Sequence, residues 1–170
     1  MGLGGAVRDI MTDSAESPTE GLGIGALHHV GISTLDLDRL VAFYRNVFGF
    51  EILTRSEWPI GFRDADEALA LTNSAASMVM LRLGDVHLEL FEFVEPRPAP
   101  VDPKRPITGV GINHICLVVD DLAAAHAQLE AAGVWFHSSP KNIGDGPFAY
   151  CRDPDGNAIE LWQLPTEESP

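Results

Sequence analysis

The feature that most constrains the fold is an internal repeat, in which two halves of the chain carry matching segments in the same order. The segment His-Val-Gly-Ile at 29–32 matches His-Ile-Cys-Leu at 114–117, and Val-His-Leu-Glu-Leu-Phe at 86–91 matches Asn-Ala-Ile-Glu-Leu-Trp at 157–162. The histidines lie 85 positions apart and the glutamates 71 apart, and a longer loop at 60–74 in the first half fits the excess. Repeats of this kind indicate a fold built from two copies of one supersecondary unit.

Each half has the pattern of a strand, a helix and three further strands. In the first half, the pattern predicts strands at 27–33, 50–58, 76–83 and 86–94, a helix from Asp36 to Gly49, and an irregular loop at 60–74. In the second half, strands are predicted at 112–119, 134–137, 148–152 and 157–164, a helix from Asp121 to Gly133, and a loop at 138–146. A four-stranded half cannot cover its own apolar face. We therefore predict an α+β fold in which two βαβββ modules form an open, cup-shaped, eight-stranded mixed sheet.

The predicted organisation has five parts. Residues 1–25, rich in Gly, Ser, Thr and acids, are expected to form a mobile leader. The first module covers 26–94 and the second covers 112–165. Between them, residues 95–111 contain five prolines, which predicts a semi-rigid extended linker. Residues 166–170 are expected to be a short tail.

Charge and cysteine content narrow the possible partners. The chain of 170 residues has 25 acidic and 11 basic residues, a net charge of −14. This balance argues against nucleic acid and against an anionic membrane, since both bind basic patches. The chain contains no run of 18 apolar residues, which is about the length that a helix needs to span a bilayer. The two cysteines do not suggest a disulfide framework, so a cytoplasmic location is expected. With nucleic acid and membrane disfavoured, the expected partner is a small-molecule substrate.

The turn Asp153-Pro-Asp-Gly-Asn157 leads into a strand that carries Glu160 among apolar neighbours. A buried carboxylate needs a partner, because an unpaired buried charge is expensive. If a pseudo-twofold axis relates the halves, the repeat places His29, Glu89 and His114 in one cup with Glu160. Two imidazoles and two carboxylates without a thiolate suit one divalent transition metal ion: Zn, Co, Ni, Mn or Fe.

Strand alternation also predicts which side chains share the cup with these four residues. Other readings remain open: a lone strand histidine is more often a core residue than a ligand, and Tyr150 and Arg152 face solvent if their strand has the opposite parity. His28 is interpreted as structural and facing away from His29, and His126 and His137 are assigned to the surface. The predicted substrate contacts are His87, Phe91, Cys116, Tyr150, Arg152 and Trp162.

Four segments of the chain stand out as motifs: His29-Val-Gly-Ile32, Phe43-Tyr-Arg-Asn-Val-Phe-Gly-Phe50, Asn113-His-Ile115 and the segment from Asp153 to Glu160. Together they resemble the vicinal oxygen chelate superfamily, which includes glyoxalase I, methylmalonyl-CoA epimerase, extradiol dioxygenases and drug-resistance proteins. The resemblance covers about 27–164 and implies paired βαβββ modules around a metal held by His29, Glu89, His114 and Glu160. By analogy with the family, it also implies a homodimer.

Three functions are compatible with these residues. The first is a metal-dependent isomerase, epimerase or lyase, in which the metal polarises a carbonyl and Glu160 or Glu89 moves a proton. The second is an Fe(II)-dependent extradiol-type dioxygenase that uses His29, His114 and Glu160, for which Glu89 is a surplus ligand. The third is a non-catalytic drug-binding protein, although such relatives often lack the metal residues. The first function is favoured because both carboxylate positions hold glutamate.

Overall fold

A computed structural model describes residue 23 and residues 25–143 and 146–165. Most of the predicted leader at 1–25 and the whole predicted tail at 166–170 lie outside the described residues. The elements, in chain order, are β1 (His29–Thr34), α1 (Leu37–Phe48), β2 (Glu51–Trp58), α2 (Arg63–Leu69), β3 (Ala75–Leu83), β4 (Val86–Glu95), β5 (His114–Val118), α3 (Leu122–Ala131), β6 (Lys141–Asn142), β7 (Pro147–Arg152) and β8 (Ala158–Trp162).

The strands form two mixed sheets of four, one from each half of the chain. The first sheet has the order β1-β4-β3-β2, and the second has the order β5-β8-β7-β6. In each sheet the first strand of the half pairs in parallel with the last, and the remaining pairs are antiparallel. The predicted α+β fold is confirmed, and the described residues form eight strands. The strands are hydrogen-bonded as two sheets rather than as one continuous sheet.

The helices that follow β1 and β5 begin with equivalent capping contacts. A side-chain oxygen of Asp36 accepts from the backbone N–H of Arg39, and one of Asp121 accepts from that of Ala124. Each helix start has a second acceptor: Glu92 on β4 accepts from the N–H of Leu37, and Gln163, directly after β8, accepts from that of Leu122. These side chains satisfy backbone donors that a helix leaves free at its start. The repeat therefore extends to the way each helix is attached to its sheet.

Two local predictions were wrong. Residues 60–74, expected to be irregular, contain α2, which has no buried residue and therefore no apolar periodicity that would reveal it. Residues 134–137, expected to be a strand, form only a single bridge from Phe136 to Cys151. The edge strand of the second sheet is instead β6, a two-residue strand within the predicted loop at 138–146.

One apolar core contains residues from both halves. On β8, Ile159 and Leu161 are fully buried while Glu160 and Trp162 on the other face are half-buried, as the strand alternation predicts. The same cluster includes Leu40 of α1 and Leu88 of β4. Each sheet thus has one face on the core and presents the other to the candidate site. No helix in the described part of the chain is long and apolar enough to cross a membrane.

Candidate functional site

In the first sheet, His29 and Glu89 form a close pair. Their strands are parallel neighbours in which His29 lies opposite His87 and Gly31 lies opposite Glu89. The glutamate is therefore diagonal to the histidine on the same face, and Nε2 of His29 lies 3.3 Å from Oε2 of Glu89. The histidine side chain is 40% exposed and the glutamate 16%. The pair is accessible from the open side of the sheet.

The second sheet repeats this arrangement with His114 and Glu160. His114 lies opposite Ala158, and Cys116 lies opposite Glu160, so the offset between histidine and glutamate is the same. Nε2 of His114 is 3.0 Å from Oε2 of Glu160, and the two side chains are 31% and 19% exposed. The pairs His29–Glu89 and His114–Glu160, which we call the two half-sites, therefore have matching geometry.

A further contact at each histidine involves Nδ1. Nδ1 of His114 is 2.9 Å from the amide oxygen of Asn113, and Nδ1 of His29 is 2.9 Å from Nδ1 of His28. The sequence reasoning did not assign Asn113 a role, although its position next to a candidate ligand could have indicated one. The prediction that His28 faces away was wrong, because this residue precedes β1 and strand alternation does not apply to it.

The donor chemistry of the His114–Glu160 pair fits a cation. When Nδ1–H of His114 donates to Asn113, the neutral ring presents the lone pair of Nε2 to the Glu160 carboxylate, so two acceptors face each other at 3.0 Å. A metal ion between them would satisfy both groups. The two pairs are not gathered into one cluster, however. Within residues 25–143 and 146–165, no three His, Cys, Asp or Glu side chains lie close enough together to hold an ion.

Polar neighbours surround Glu160 on both sides. Tyr150 on β7 and Cys116 on β5 lie directly across from it. Burial and the adjacent carboxylate raise the pKa of Tyr150 to about 12 and that of Cys116 to about 11. Both groups therefore remain protonated at neutral pH, and Cys116 is a thiol rather than a thiolate nucleophile.

The turn before Glu160 is organised by the buried Asp153. Its carboxylate accepts from the backbone N–H groups of Asp155 and Asn157, from the amide of Asn157 and from the hydroxyl of Tyr44 on α1. Burial raises the pKa of Asp153, while the donors from Asn157 and Tyr44 oppose that increase. Arg39 of α1 also pairs with Asp155. The turn is thus attached to the helix of the other module.

His137 stacks against the ring of Tyr150, and Arg152 hydrogen-bonds to His137. The guanidinium of Arg152 donates to Nε2 of His137 at 2.8 Å, to the carbonyl of Gly156 and to the carbonyl of Arg105. Burial and the nearby Arg152 lower the pKa of His137, which therefore stays neutral. The substrate contact predicted for Arg152 remains a prediction. The surface assignment is correct for His137, which is exposed although it hydrogen-bonds to Arg152. It was wrong for His126, whose side chain is largely buried and whose ring packs 4.1 Å from that of Phe136.

The other predicted substrate contacts lie on the same faces as the pairs. His87 stacks on His28 with ring centroids 4.6 Å apart, and its Nδ1 is buried without a hydrogen-bond partner among the described residues. Phe91 stacks on Phe93 beside Trp58. Trp162 lies across from Phe148 and Val118. These side chains could form the walls of a binding site, which remains a prediction.

A cavity of about 280 Å³ lies next to the second pair. Its lining includes β1, the start of β5 and the linker that separates the two halves. His114 and Arg152 contribute to the wall, whereas His29, Glu89 and Glu160 do not. The cavity is large enough for a small organic molecule and reaches one candidate ligand.

Comparison with known proteins agrees with this architecture. Residues 26–161 match the family model described as the Glyoxalase/Bleomycin resistance protein/Dioxygenase superfamily. The chain is 34% identical over 156 residues to a 2-epi-5-epi-valiolone epimerase from Actinomyces, covering 84% of this chain and 81% of the relative. It is 28% identical to the human mitochondrial methylmalonyl-CoA epimerase, covering 82% and 74% of the two chains.

Two further matches complete the comparison. The lactoylglutathione lyase of Schizosaccharomyces pombe is 32% identical over 79% of this chain, but the match spans only 46% of that longer protein. A crystal structure of a glyoxalase family protein from Bacillus cereus has a TM-score of 0.72 at 18% identity, covering 82% of this chain and 94% of that one. The family match over residues 26–161 includes both histidine–glutamate pairs. The chain therefore belongs to the Glyoxalase/Bleomycin resistance protein/Dioxygenase superfamily.

Proposed function

We propose that this protein is a divalent-metal-dependent epimerase or isomerase that moves a proton next to a carbonyl group of a small organic substrate. The observation that carries the proposal is the pair of equivalent half-sites, with His29 and Glu89 in one module and His114 and Glu160 in the other. The named activities of the relatives, two epimerases and a lyase, support this class of reaction. A lyase acting through the same proton transfer is the nearest alternative.

In this proposal both half-sites contribute ligands to one ion, so the two modules must bring the pairs together when the ion binds. A divalent ion held there would act as a Lewis acid on the substrate carbonyl and make the adjacent C–H group more acidic. One of the glutamates takes that proton, and the electron pair of the broken C–H bond delocalises onto the carbonyl oxygen. Return of a proton to the opposite face of the carbon gives the epimer.

The site chemistry also bears on the substrate. The half-buried aromatic side chains of Phe91 and Trp162 would cover apolar parts of a substrate, and the cavity beside His114 would admit a compact molecule. The cup therefore suits a small molecule with a carbonyl group and a nearby acidic C–H bond. The substrates named for two relatives, 2-epi-5-epi-valiolone and methylmalonyl-CoA, are the first compounds to test.

The first test is a metal and exchange measurement on the full chain. We expect close to one divalent metal ion per chain by elemental analysis, and incorporation of deuterium next to the carbonyl of an accepted substrate in heavy water. Removal of the metal with a chelator should abolish the exchange, and one of Zn, Co, Ni, Mn or Fe should restore it.

Two outcomes would contradict the proposal. A metal-free preparation that retains full exchange would exclude the metal-dependent mechanism. Oxygen uptake with catechols after iron loading, without any proton exchange, would support the dioxygenase alternative instead.

A further inference from the structure

The cavity of about 280 Å³ beside His114 has a wall whose charge is opposite to that of the whole protein. The chain carries 25 acidic and 11 basic residues. Among the described residues that line the cavity, however, there are two arginines, Arg105 and Arg152, and no aspartate or glutamate. Asn113 and Asn157 add side-chain amides to the same wall. A positive recess in an otherwise acidic protein favours an anionic ligand.

Arg152 on β7 is a buried cation without a carboxylate partner. The residue is 8% exposed, and its guanidinium donates to Nε2 of His137 and to the carbonyls of Gly156 and Arg105. All three acceptors are neutral, and Arg152 forms no ion pair with any described residue. Three of its five N–H donors are used in this way, which leaves two without an acceptor in the described part of the chain. A buried charge is costly unless an opposite charge compensates it.

Arg105 in the linker brings a second guanidinium to the same cavity. It donates to the carbonyl of Asp155 and to the amide oxygen of Asn157, both at 2.8 Å, and to the carbonyl of Asp102 at 3.4 Å. These acceptors are neutral as well. The two arginines are also close to each other, since Arg152 donates to the backbone carbonyl of Arg105 at 3.0 Å. Two guanidinium groups therefore line one cavity whose described wall holds no negative charge.

The two acids that follow Arg152 in the sequence have other partners. Asp153 accepts from four donors, Asp155 pairs with Arg39, and neither acid lines the cavity. Burial lowers the pKa of Arg152, the nearby Arg105 lowers it further, and Asp153 opposes both without reversing the direction. The repulsion between the two arginines is therefore only partly offset by the carboxylates of the protein.

Hydrogen bonds hold the wall of the cavity in position. Arg105 attaches the linker to the turn before β8 through its bonds to Asp155 and Asn157. Further along, the amide of Asn113 at the start of β5 donates to the carbonyl of Ile107. The part of the linker that lines the cavity is thus attached at two points. A site that is formed before the ligand arrives has less conformational freedom to lose on binding.

We propose that this cavity is an oxyanion subsite, in which Arg105 and Arg152 bind a carboxylate or phosphate group of a small ligand. A guanidinium presents a planar set of N–H donors that matches the oxygen atoms of both groups. The bound anion supplies the negative charge that the wall lacks. Anion binding does not depend on the proposed function but extends it. Because His114 shares the wall, a substrate with an acidic group would be held beside the second half-site.

The subsite is tested by isothermal titration calorimetry of the full chain with malonate and with inorganic phosphate at low ionic strength. We expect saturable binding of at least one of these anions with a Kd of about 1 mM. Malonamide, the uncharged analogue of malonate, should not bind. Binding of malonate alone would identify a carboxylate site, and binding of phosphate alone a phosphate site. Failure of both anions to bind would overturn the proposal.

A pair of linker variants locates the binding. Arg105→Gln removes one guanidinium from the cavity and should weaken anion binding at least about tenfold. Arg97→Gln removes the same charge from an exposed position of the linker that does not line the cavity. This control should change the affinity by less than about twofold, because a distant surface charge is screened. Equal affinities of the two variants would overturn the assignment of Arg105.

A second pair leaves both arginines and their hydrogen bonds in place, so it decides the question even if Arg105→Gln does not fold. Ser33 is exposed and lines the same cavity. Ser33→Asp adds a negative charge to the wall and should weaken anion binding about tenfold. Ser33→Asn has the same shape without the charge and should bind as the unmodified protein does. Equal affinities of these two variants would contradict anion binding in this cavity. Anion binding without any proton exchange would count against the proposed function alone.

Discussion

At the scale of single residues, Tyr44 and Asp153 connect the two halves of the molecule. Both side chains are buried, and the hydroxyl of Tyr44 donates to the Asp153 carboxylate at 3.1 Å. The other three donors to Asp153 come from its own turn. The hydrogen bond from Tyr44 therefore ties the turn before β8 to α1.

Tyr44→Phe is expected to destabilise the protein by about 2 kcal/mol at neutral pH, because a buried carboxylate loses one of its donors. Urea unfolding followed by circular dichroism measures the change. Ser138→Ala, which removes an exposed hydroxyl that bonds only the neighbouring carbonyl, is the control and should change stability by less than about 0.5 kcal/mol.

The loss in Tyr44→Phe should depend on pH in a defined direction. Burial raises the pKa of Asp153 above its ordinary value of 3.8, and the Tyr44 hydrogen bond opposes that rise. Without the hydroxyl, the pKa of Asp153 in the folded state rises further. As the pH falls, Asp153 is therefore protonated earlier in the folded variant than in the folded unmodified protein. The difference from the unmodified protein should therefore be full at neutral pH and shrink as the pH falls through the pKa of Asp153. A difference that grows on acidification would contradict this account.

At the scale of elements, the turns before β8 and β4 are equivalent in position but differ in their surroundings. Gly156 and Gly84 both have positive φ, at 78° and 57°. A Cβ on Gly84 would meet no atom within 4 Å, whereas one on Gly156 would overlap the backbone of Pro103 in the linker. The second turn is therefore covered by the linker, and the first is open.

This difference predicts unequal effects of the same substitution. Gly84→Ala should cost about 1 kcal/mol, because an L-residue is strained at positive φ. Gly156→Ala should cost at least about 3 kcal/mol, since it adds a backbone overlap to the same strain. Thermal and urea unfolding of the two variants measure the contrast. Equal losses would show that the linker does not pack on the turn as described.

The sequence predicts those elements whose pattern has a local cause. Asp36 and Asp121 indicate helix starts because a carboxylate caps the free N–H groups, and alternation predicts the inward face of Glu160. The polar helix α2 and the two-residue strand β6 carry no such periodicity. Contacts such as that of His137 with Arg152 depend on tertiary packing, which a single strand or helix pattern does not encode.

For the candidate site, the sequence predicts which side chains face the cup but not what surrounds each of them. The repeat predicts that His29, Glu89, His114 and Glu160 face one cup. The structure shows that each histidine lies next to the glutamate of its own module. The different surroundings of Glu89 and Glu160 depend on which residue stands across the sheet, and that register is known only from the structure. Gathering of both pairs around one ion is a property of the whole molecule and remains a prediction.

At the scale of the whole molecule, the two halves share one core. Buried residues of α1 and of β8, such as Leu40 and Ile159, belong to the same apolar cluster. The pairing of Arg39 with Asp155 adds a polar connection between the halves. Separating the modules would expose this apolar surface to water, which is unfavourable in proportion to the area exposed. We therefore expect the halves to unfold together.

Tryptophan fluorescence can follow each half separately. Trp58 lies on β2 in the first sheet and Trp162 lies on β8 in the second, while Trp135 lies between α3 and β6. The double variant Trp135→Phe with Trp162→Phe leaves Trp58 as the reporter, and Trp58→Phe with Trp135→Phe leaves Trp162. In urea, each reporter should give the same midpoint as the circular dichroism of its own variant, because a shared core makes unfolding one cooperative transition. Separate midpoints for fluorescence and circular dichroism would mean that the modules are independently stable. The shared core would then contribute little to the stability of the two modules.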